Sequence, residues 1–329
     1  MLKCKKIKVK MEDFMYYVGI DVGGMSIKAG IIDENGKILA NQFIVTEPEK
    51  PSDEIVEDIA RLIEDIVRDY GIKISDLNGI GMGFPGSVWD QKGEIVYCCN
   101  INLVKVPVCK MLTARLGVKN IKISNDANCA ALAETRFGAG RGALNSVMIT
   151  IGTGLGTGIV VDGKLLTGNR SAGAEGGHMQ INFGGPTCGC GKKGHYEAYA
   201  SATALIEQTR QAMDRHPESI LHKVVQLYGL NGKTVFTAAK QGDKVAVGVL
   251  NKYIKYVGMG LVNFANLFYP EVIIVGGGVS RQGDVLVKPL QRYVSRNVYG
   301  SKYNPKIKVA AAELGNDAGI IGAACLAMN

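Results

Sequence analysis

The stretch YYVGIDVGGMSIKAGIID, residues 16–33, decides the fold. Its first seven residues are rich in aromatic and β-branched side chains, and a second run of this kind begins at Ser26, after an Asp-x-Gly-Gly bend. A third run, KILANQFIV (37–45), follows an Asn35-Gly36 turn. Because Asn-Gly between apolar runs favours a tight hairpin, we predict three antiparallel strands at the start of a sheet.

The segments that follow alternate between helix and strand. Ser52 is predicted to cap a helix that ends at Gly71, and a strand at Gly79–Gly83 comes next. A strand at Ile121–Ser124 then leads into an Ala-rich helix. This order predicts an α/β fold.

The second half of the chain repeats the layout of the first. SVMITIGTGLGTGIVVDGKLL (146–166) is again a hairpin with glycines at its bend, PEVIIVGGGVS (270–280) repeats NGIGMGFPGSV (78–88), and ELGNDAGIIGAACLA (313–327) places a second Asn-Asp-Ala at a helix start. Internal duplication is the simplest account, with about sixty extra residues inserted near 167–230. We expect the insert to hold specialised chemistry and the final helix to pack on the first lobe.

Length and composition indicate a two-lobed globular protein. The chain has 329 residues, 47% of them hydrophobic and 21% charged, which excludes intrinsic disorder. Lysines crowded into the first ten residues account for most of the net charge of +8. We interpret residues 1–15 as a basic flexible extension, with translation starting at Met1, Met11 or Met15, and we expect no nucleic-acid partner.

No segment predicts a membrane span. The uncharged run Gly142–Val161 has the pattern of strand, turn and strand, and the apolar run Tyr256–Pro270 is too short to cross a bilayer. Eight cysteines without an export signal favour a reducing compartment. We therefore expect a cytoplasmic protein with no membrane partner.

The first glycine-rich bend has the composition of a phosphate site. Gly23 and Gly24 let backbone N–H groups approach an anion, Asp21 can hold a hydrated Mg²⁺, and Lys28 adds positive charge. Taken alone, however, a Gly-Gly bend of this kind is more often only a hairpin turn.

The duplicate supplies two further glycine-rich bends. One joins two strands and can bind phosphate oxygens; it contains Gly152, Thr153 and Gly154. The other follows a strand and precedes a helix, a layout that suits the sugar or base of a nucleotide or a plain βα turn; it contains Gly276, Gly277 and Gly278.

Asp126 stands after a strand, at the start of a helix. The commonest role of Asp at this place is a helix N-cap. At the mouth of a cleft between lobes it could instead accept a proton from a substrate hydroxyl. Because Asp is ionised at neutral pH, that role needs no large pKa shift.

The run EGGHMQINFGGPTCGCGKKGHYE, residues 175–197, carries the strongest single signal. His178, Cys188, Cys190 and His195 offer two imidazoles and two thiolates, a set suited to tetrahedral Zn²⁺. With four protein ligands the site would be structural and closed to substrate. The alternative is a surface turn with two free thiols and no metal.

In combination, these motifs resemble the sugar kinases of the ROK family (repressor, open reading frame, kinase), within the actin-like ATPase superfamily. The resemblance covers nearly the whole chain from about Tyr16. DVGGMSIKAG and TIGTGLGTG match the two phosphate motifs, SNDANCAALAE the catalytic-Asp segment, VGGGVS the adenosine segment, and EGGH through CGCGKKGHYE the family signature.

The resemblance implies a duplicated actin-like (ribonuclease H-like) ATPase fold of two lobes with a central cleft. The small lobe would comprise residues 16–118 plus 315–329. The large lobe would comprise residues 119–314 and contain the zinc- and sugar-binding insert.

The resemblance also implies roles for particular residues. Asp126 would be the general base on the 6-hydroxyl of a hexose, and His178 would give one ring nitrogen to zinc and the other to the sugar. The expected sugar contacts are Gly86, Asn102, Asn125, Asp126, Glu175, His178 and Glu197. His195 stands where the family usually has Cys, and Met25 where it commonly has Thr, so that Ser26 would be the nearby hydroxyl at the phosphates.

The function implied by the resemblance is phosphorylation of D-glucose at its 6-hydroxyl by ATP with Mg²⁺, in a homodimer or homotetramer. Alternatives are another hexose, such as N-acetylmannosamine or fructose, and polyphosphate as the donor. A sugar-responsive repressor is disfavoured because no helix-turn-helix pattern is present. An actin-like filament protein is disfavoured by the sugar and zinc signature.

Overall fold

The computed structural model describes residues 15–98 and 100–328. The predicted extension therefore lies, apart from Met15, outside the described residues. The strands are β1 (Tyr16–Val22), β2 (Ser26–Ile32), β3 (Ile38–Val45), β4 (Leu77–Phe84), β5 (Ser87–Trp89), β6 (Glu94–Tyr97), β7 (Val104–Val106), β8 (Ile121–Asn125), β9 (Ser146–Ile151), β10 (Leu155–Val161), β11 (Lys164–Leu165), β12 (Val272–Gly276) and β13 (Lys308–Ala311). The helices are α1 (Ser52–Tyr70), α2 (Val108–Leu116), α3 (Asp126–Phe137), α4 (Glu197–Ala200), α5 (Ala202–Arg215), α6 (Leu221–Tyr228), α7 (Thr234–Lys240), α8 (Lys244–Phe268), α9 (Asp284–Asn297) and α10 (Ala318–Ala327).

Two five-stranded sheets share one topology. The first has the order β3-β2-β1-β4-β8 and the second the order β11-β10-β9-β12-β13. In each sheet the first three strands in chain order are antiparallel and the last two are parallel to the central strand. The predicted hairpin start and the internal duplication are both confirmed.

Helices α3 and α10 begin at the repeated Asn-Asp-Ala motifs and cross between the two sheets. A Cβ atom added to Gly19 of β1 would lie 1.8 Å from the Ile320 carbonyl oxygen, so glycine permits α10 to lie directly on the first sheet. A Cβ atom on Gly158 of β10 would lie 2.4 Å from Ala131 of α3. The expected return of the final helix to the first half is confirmed.

Glu134 ties the two crossing helices together. It is fully buried near the end of α3. Its carboxylate accepts hydrogen bonds from the backbone N–H groups of Ala139 at 2.9 Å, Glu313 at 3.1 Å and Leu314 at 2.7 Å. These bonds satisfy a buried charge and join α3 to the segment that precedes α10.

Two sequence-based expectations differ from the structure at this level. Helix α1 begins at Ser52 itself after Pro51, with no side-chain cap, because the fixed φ of proline already sets the entry to the helix. The strand Ile121–Asn125, which the predicted boundary assigns to the large lobe, is hydrogen-bonded to β4 of the first sheet. The remaining lobe boundaries stay a prediction.

The apolar run Tyr256–Pro270 belongs to a longer helix than we expected. Helix α8 has 25 residues and is, among the described residues, the one helix long and apolar enough to cross a membrane. Half of the apolar window is buried in the protein, and Tyr253, Val257 and Leu261 belong to the core of the second half. Core helices of soluble proteins commonly have this composition.

Candidate active site

A cavity of about 570 Å³ lies between the two halves of the fold. It brings together most of the predicted sugar-binding residues and part of the second bend. The predicted residues that line it are Gly86, Asn125, Asp126, Gly152, Gly154, Glu175, His178, Glu197 and Gly277. Other residues that line the cavity, such as Ser87, Thr157 and Ala172, were not predicted from the sequence. The only sequence signal for them was their position next to the predicted motifs.

Asp126 is the first residue of α3, and Asn125 rather than Asp126 is its N-cap. The backbone N–H of Ala127 is shared between Asn125 Oδ1 at 2.9 Å and Asp126 Oδ1 at 2.8 Å. Asn125 Nδ2 donates to the Gly86 carbonyl oxygen at 3.1 Å. The cap and the Gly86 contact thus hold the backbone from which the Asp126 carboxylate projects.

Burial raises the pKa of Asp126 to about 6. The hydrogen bond from Ala127 N–H opposes the rise, whereas the nearby carboxylates of Asp21 and Glu175 add to it. The proton-accepting role needs no such shift, as we expected, but the fold produces one. A carboxylate with a pKa near 6 is still ionised at neutral pH and is well matched to accepting a proton.

The first bend places charge near Asp126. Lys28 Nζ lies 3.7 Å from Asp21 Oδ2. Burial raises the pKa of Asp21, and Lys28 partly opposes the rise. Gly319, at the start of α10, leaves room for this carboxylate, since a Cβ atom there would lie 2.7 Å from it. Gly23 N–H, at the bend, donates to the Ser26 carbonyl oxygen at 3.0 Å.

The second bend and the Gly276–Gly278 segment meet. Gly152 N–H donates to the Gly154 carbonyl oxygen at 3.0 Å and closes the β9–β10 hairpin. Gly277 has φ +82°, and a Cβ atom on it would lie 2.3 Å from the Ile151 carbonyl oxygen. Only glycine fits this close approach without strain.

Glu197 connects the second bend to the cysteine loop. Its Oε2 accepts from Leu155 N–H at 2.8 Å, and its Oε1 accepts from Cys188 Sγ at 3.1 Å. Glu175 lies in the same wall of the cavity, where burial raises its pKa and His178 opposes the rise. Sequence reasoning predicted Glu197 as a sugar contact and missed its contacts within the protein.

The four predicted metal ligands converge. The candidate ligand atoms of His178, Cys188, Cys190 and His195 all lie within 4.8 Å of one another. Cys188 Sγ is 3.6 Å from His178 Nδ1, and Cys190 Sγ is 3.2 Å from His195 Nδ1. Around a tetrahedral Zn²⁺, with ordinary Zn–S and Zn–N bonds, sulfur and nitrogen lie about 3.6 Å apart. The donor set and spacing fit zinc.

Comparison with known proteins identifies the family. Residues 17–329 match the sequence model of the ROK family. The glucokinase of Streptomyces coelicolor is 37% identical over 317 residues, which cover 94% of this chain and 96% of the relative. The chain belongs to the ROK family.

Other ROK relatives include an enzyme and a regulator. A ROK family glucokinase from Streptomyces griseus, crystallised with glucose and AMPPNP, is 36% identical with a TM-score of 0.78, over 95% of this chain and 99% of that one. This match confirms the predicted actin-like ATPase fold. The xylose repressor of Bacillus subtilis is 29% identical over 308 residues, which cover 93% of this chain and 75% of the repressor.

Several positions singled out in the sequence of this ROK protein do not line the cavity. Among the predicted phosphate residues these are Asp21, Gly23, Gly24, Ser26, Lys28, Thr153, Gly276 and Gly278. Asn102 is exposed, does not line the cavity, and donates from Nδ2 to the Lys50 carbonyl oxygen at 3.2 Å. Met25 is 87% exposed at the first bend.

Proposed function

We propose that the protein is an ATP-dependent hexose kinase, a glucokinase that phosphorylates D-glucose at the 6-hydroxyl. One observation carries the proposal: Asp126, with its pKa raised to about 6, lies in a cavity between a glycine-rich bend and the Glu175 and His178 wall. The bend suits phosphate and the wall suits sugar hydroxyls. The relatives named glucokinase support the same activity.

The chain's own groups account for the chemistry. Asp126 accepts the proton of the 6-hydroxyl as the hydroxyl oxygen attacks the γ-phosphorus and the bond to ADP breaks. Ala127 N–H holds Oδ1 of Asp126, which leaves Oδ2 for the hydroxyl. The backbone at Gly152 and Gly154 and the Lys28 cation would receive the phosphates, and Asp21 would hold the water shell of the Mg²⁺ that accompanies ATP.

We propose that the cluster of His178, Cys188, Cys190 and His195 holds one structural Zn²⁺. Zinc would fix the loop that carries these four residues. His178 meets Cys188 through Nδ1, and His178 also lines the cavity, so Nε2 is available to a sugar hydroxyl. Metal binding and sugar recognition would therefore share one imidazole.

The assembly and location belong to the same proposal. We expect a homodimer or homotetramer in the cytoplasm, with hexose and ATP as the small-molecule partners. Light scattering of the purified protein and fractionation of cells test these two expectations.

A coupled ADP-release assay over a panel of hexoses tests the activity. The wild type should turn over glucose, and Asp126→Asn should lose turnover by orders of magnitude while glucose still binds. Asp214→Asn, at an exposed carboxylate on α5, is the matched control and should keep full turnover. Preference for another sugar would change the substrate within the hexose class. Unchanged turnover in Asp126→Asn would refute the proposed base.

A further inference from the structure

Two segments from opposite halves of the chain meet beside the sugar end of the cavity. One is β5, which ends at Trp89, and the other is the 3-10 turn Asn169–Ser171 in the insert. The Arg170 guanidinium carbon lies 4.6 Å from the centroid of the Trp89 ring. Beside it, Asp90 N–H donates to Ser171 Oγ at 3.3 Å. These contacts bridge the halves outside the cavity.

The backbone of the insert segment is strained at this point. Arg170 has φ +52°, Ser171 φ +57° and Ala174 φ +62°, all in the left-handed region that non-glycine residues avoid. Such conformations persist where surrounding contacts hold them. The C-terminal end of the segment is held by Thr157, whose Oγ1 donates to the Ala174 carbonyl oxygen and accepts from Gly176 N–H. The N-terminal end has its side-chain contacts across the cleft, at Trp89 and Asp90.

The bridge stands next to two walls of the cavity. Ser87 precedes Trp89 by two residues and lines the cavity from the first half. Ala172 follows Arg170 by two residues and lines it from the second half, three residues before Glu175. Trp89 and Arg170 therefore each lie two residues from a cavity wall, and neither of them lines the cavity itself.

We propose that Trp89 and Arg170 form a latch between the halves of the fold, and that Trp89 is a positioning residue for the hexose. The latch holds the strained turn in place and so keeps Ala172 and Glu175 facing Gly86 and Ser87. This proposal rests on the proposed sugar site at that end of the cavity. The latch affects the affinity for the sugar. Other residues bind the phosphates and accept the proton.

Lys92 provides a matched control within the chain. Its Nζ lies 3.9 Å from the centroid of the same Trp89 ring, closer than Arg170. Lys92 belongs to the turn Asp90–Lys92 that directly follows β5, so this contact stays within the first half. If these cations acted only by stabilising the indole ring, removing Lys92 would raise the KM for glucose as much as removing Arg170. A latch between halves requires Arg170 alone.

The test compares steady-state kinetics of the full chain and its variants. A cation–π contact at an exposed site is worth a factor of about two to five in an equilibrium constant. Arg170→Gln should therefore raise the KM for glucose about two- to five-fold, with kcat and the KM for ATP unchanged. Lys92→Gln should match the wild type. Trp89→Ala should raise the KM for glucose further, and Trp89→Phe should restore part of the loss.

The indole supplies a second readout, because Trp89 is the single tryptophan of the chain. Glucose should change its fluorescence in the wild type and in Lys92→Gln, and the midpoint should shift in Arg170→Gln. Arg170 is exposed, so this variant should fold even if Trp89→Ala does not. Equal KM values in Arg170→Gln and the wild type, or equal losses in Arg170→Gln and Lys92→Gln, would overturn the latch. If the wild type binds glucose without phosphorylating it, the proposed kinase activity is refuted. The fluorescence titration with glucose then tests the latch independently of that activity.

Discussion

Replacing Asp126 by asparagine should remove activity and at the same time stabilise the protein. Burial raises the pKa of Asp126 from 3.8 to about 6, so the fold disfavours the ionised carboxylate. A tenfold change in proton affinity corresponds to about 1.36 kcal/mol, so keeping this group ionised costs up to about 3 kcal/mol of folding free energy at neutral pH. Asparagine removes the charge and keeps an Oδ1 acceptor for Ala127 N–H.

The pH dependence of this gain identifies its cause. Below pH 3.8 the carboxyl is protonated in both the folded and the unfolded wild type, and its charge costs nothing. Between pH 3.8 and about 6 the folded state binds more protons than the unfolded state, so the wild type loses stability as the pH rises. Above pH 6 the full cost is present. The stabilisation by Asp126→Asn should therefore be largest above pH 6 and vanish towards pH 4.

Melting temperatures of the two proteins, measured side by side from pH 4 to pH 8, provide the assay. Their difference should amount to several degrees at pH 8 and shrink on acidification. Changes common to both proteins cancel in the difference. A difference that stays constant with pH would show that shape rather than charge is responsible, and a less stable variant at pH 8 would refute the argument that burial penalises this carboxylate.

Three further predictions concern the base, the metal and one glycine. Because Asp126 must be ionised to accept a proton, kcat/KM for glucose should fall about tenfold per pH unit below about pH 6 and be flat above it, and a flat profile down to pH 4.5 would contradict this assignment. Cys188→Ser, or a strong chelator, should remove zinc measured by elemental analysis and raise the KM for glucose more than the KM for ATP; full zinc content in the variant would exclude Cys188 as a ligand. Gly277→Ala should lower the melting temperature through a loss of at least about 1–2 kcal/mol, since its φ is +82° and Ile151 blocks a Cβ atom, whereas the neighbouring Gly278→Ala, with open space around it, should be nearly neutral. Equal effects of the two glycine variants would argue against that reason.

The parts of the site that depend on consecutive residues could be predicted from the sequence. The bends at Gly23-Gly24 and Gly152–Gly154 follow from glycine at a strand-to-strand turn, because that conformational freedom is a local property. The four proposed metal ligands lie in one short run of the chain, so their convergence needs only the loop to close. The repeated Asn-Asp-Ala motif located α3 and α10 for the same reason.

Other features depend on distant segments and were misjudged or missed. Asn125, and not Asp126, is the N-cap of α3. The pairing of β8 with β4 and the hydrogen bond from Asn125 to the Gly86 carbonyl oxygen place Asn125 in this position. The pKa of Asp126 depends on its burial and on Asp21 and Glu175, which are far away in the chain.

The sequence by itself determined the duplicated α/β architecture, the family, the glycine bends and the proposed set of metal ligands, because strand alternation, turn chemistry and ligand type are properties of neighbouring residues. Only the tertiary structure decided which groups are buried together. It raised the pKa of Asp126, gave Glu197 two partners within the protein, and brought Trp89 of β5 against Arg170 of the insert. Desolvation, electrostatic coupling and contacts across a cleft depend on distances in space, and those distances arise only when the two halves of the chain pack against each other.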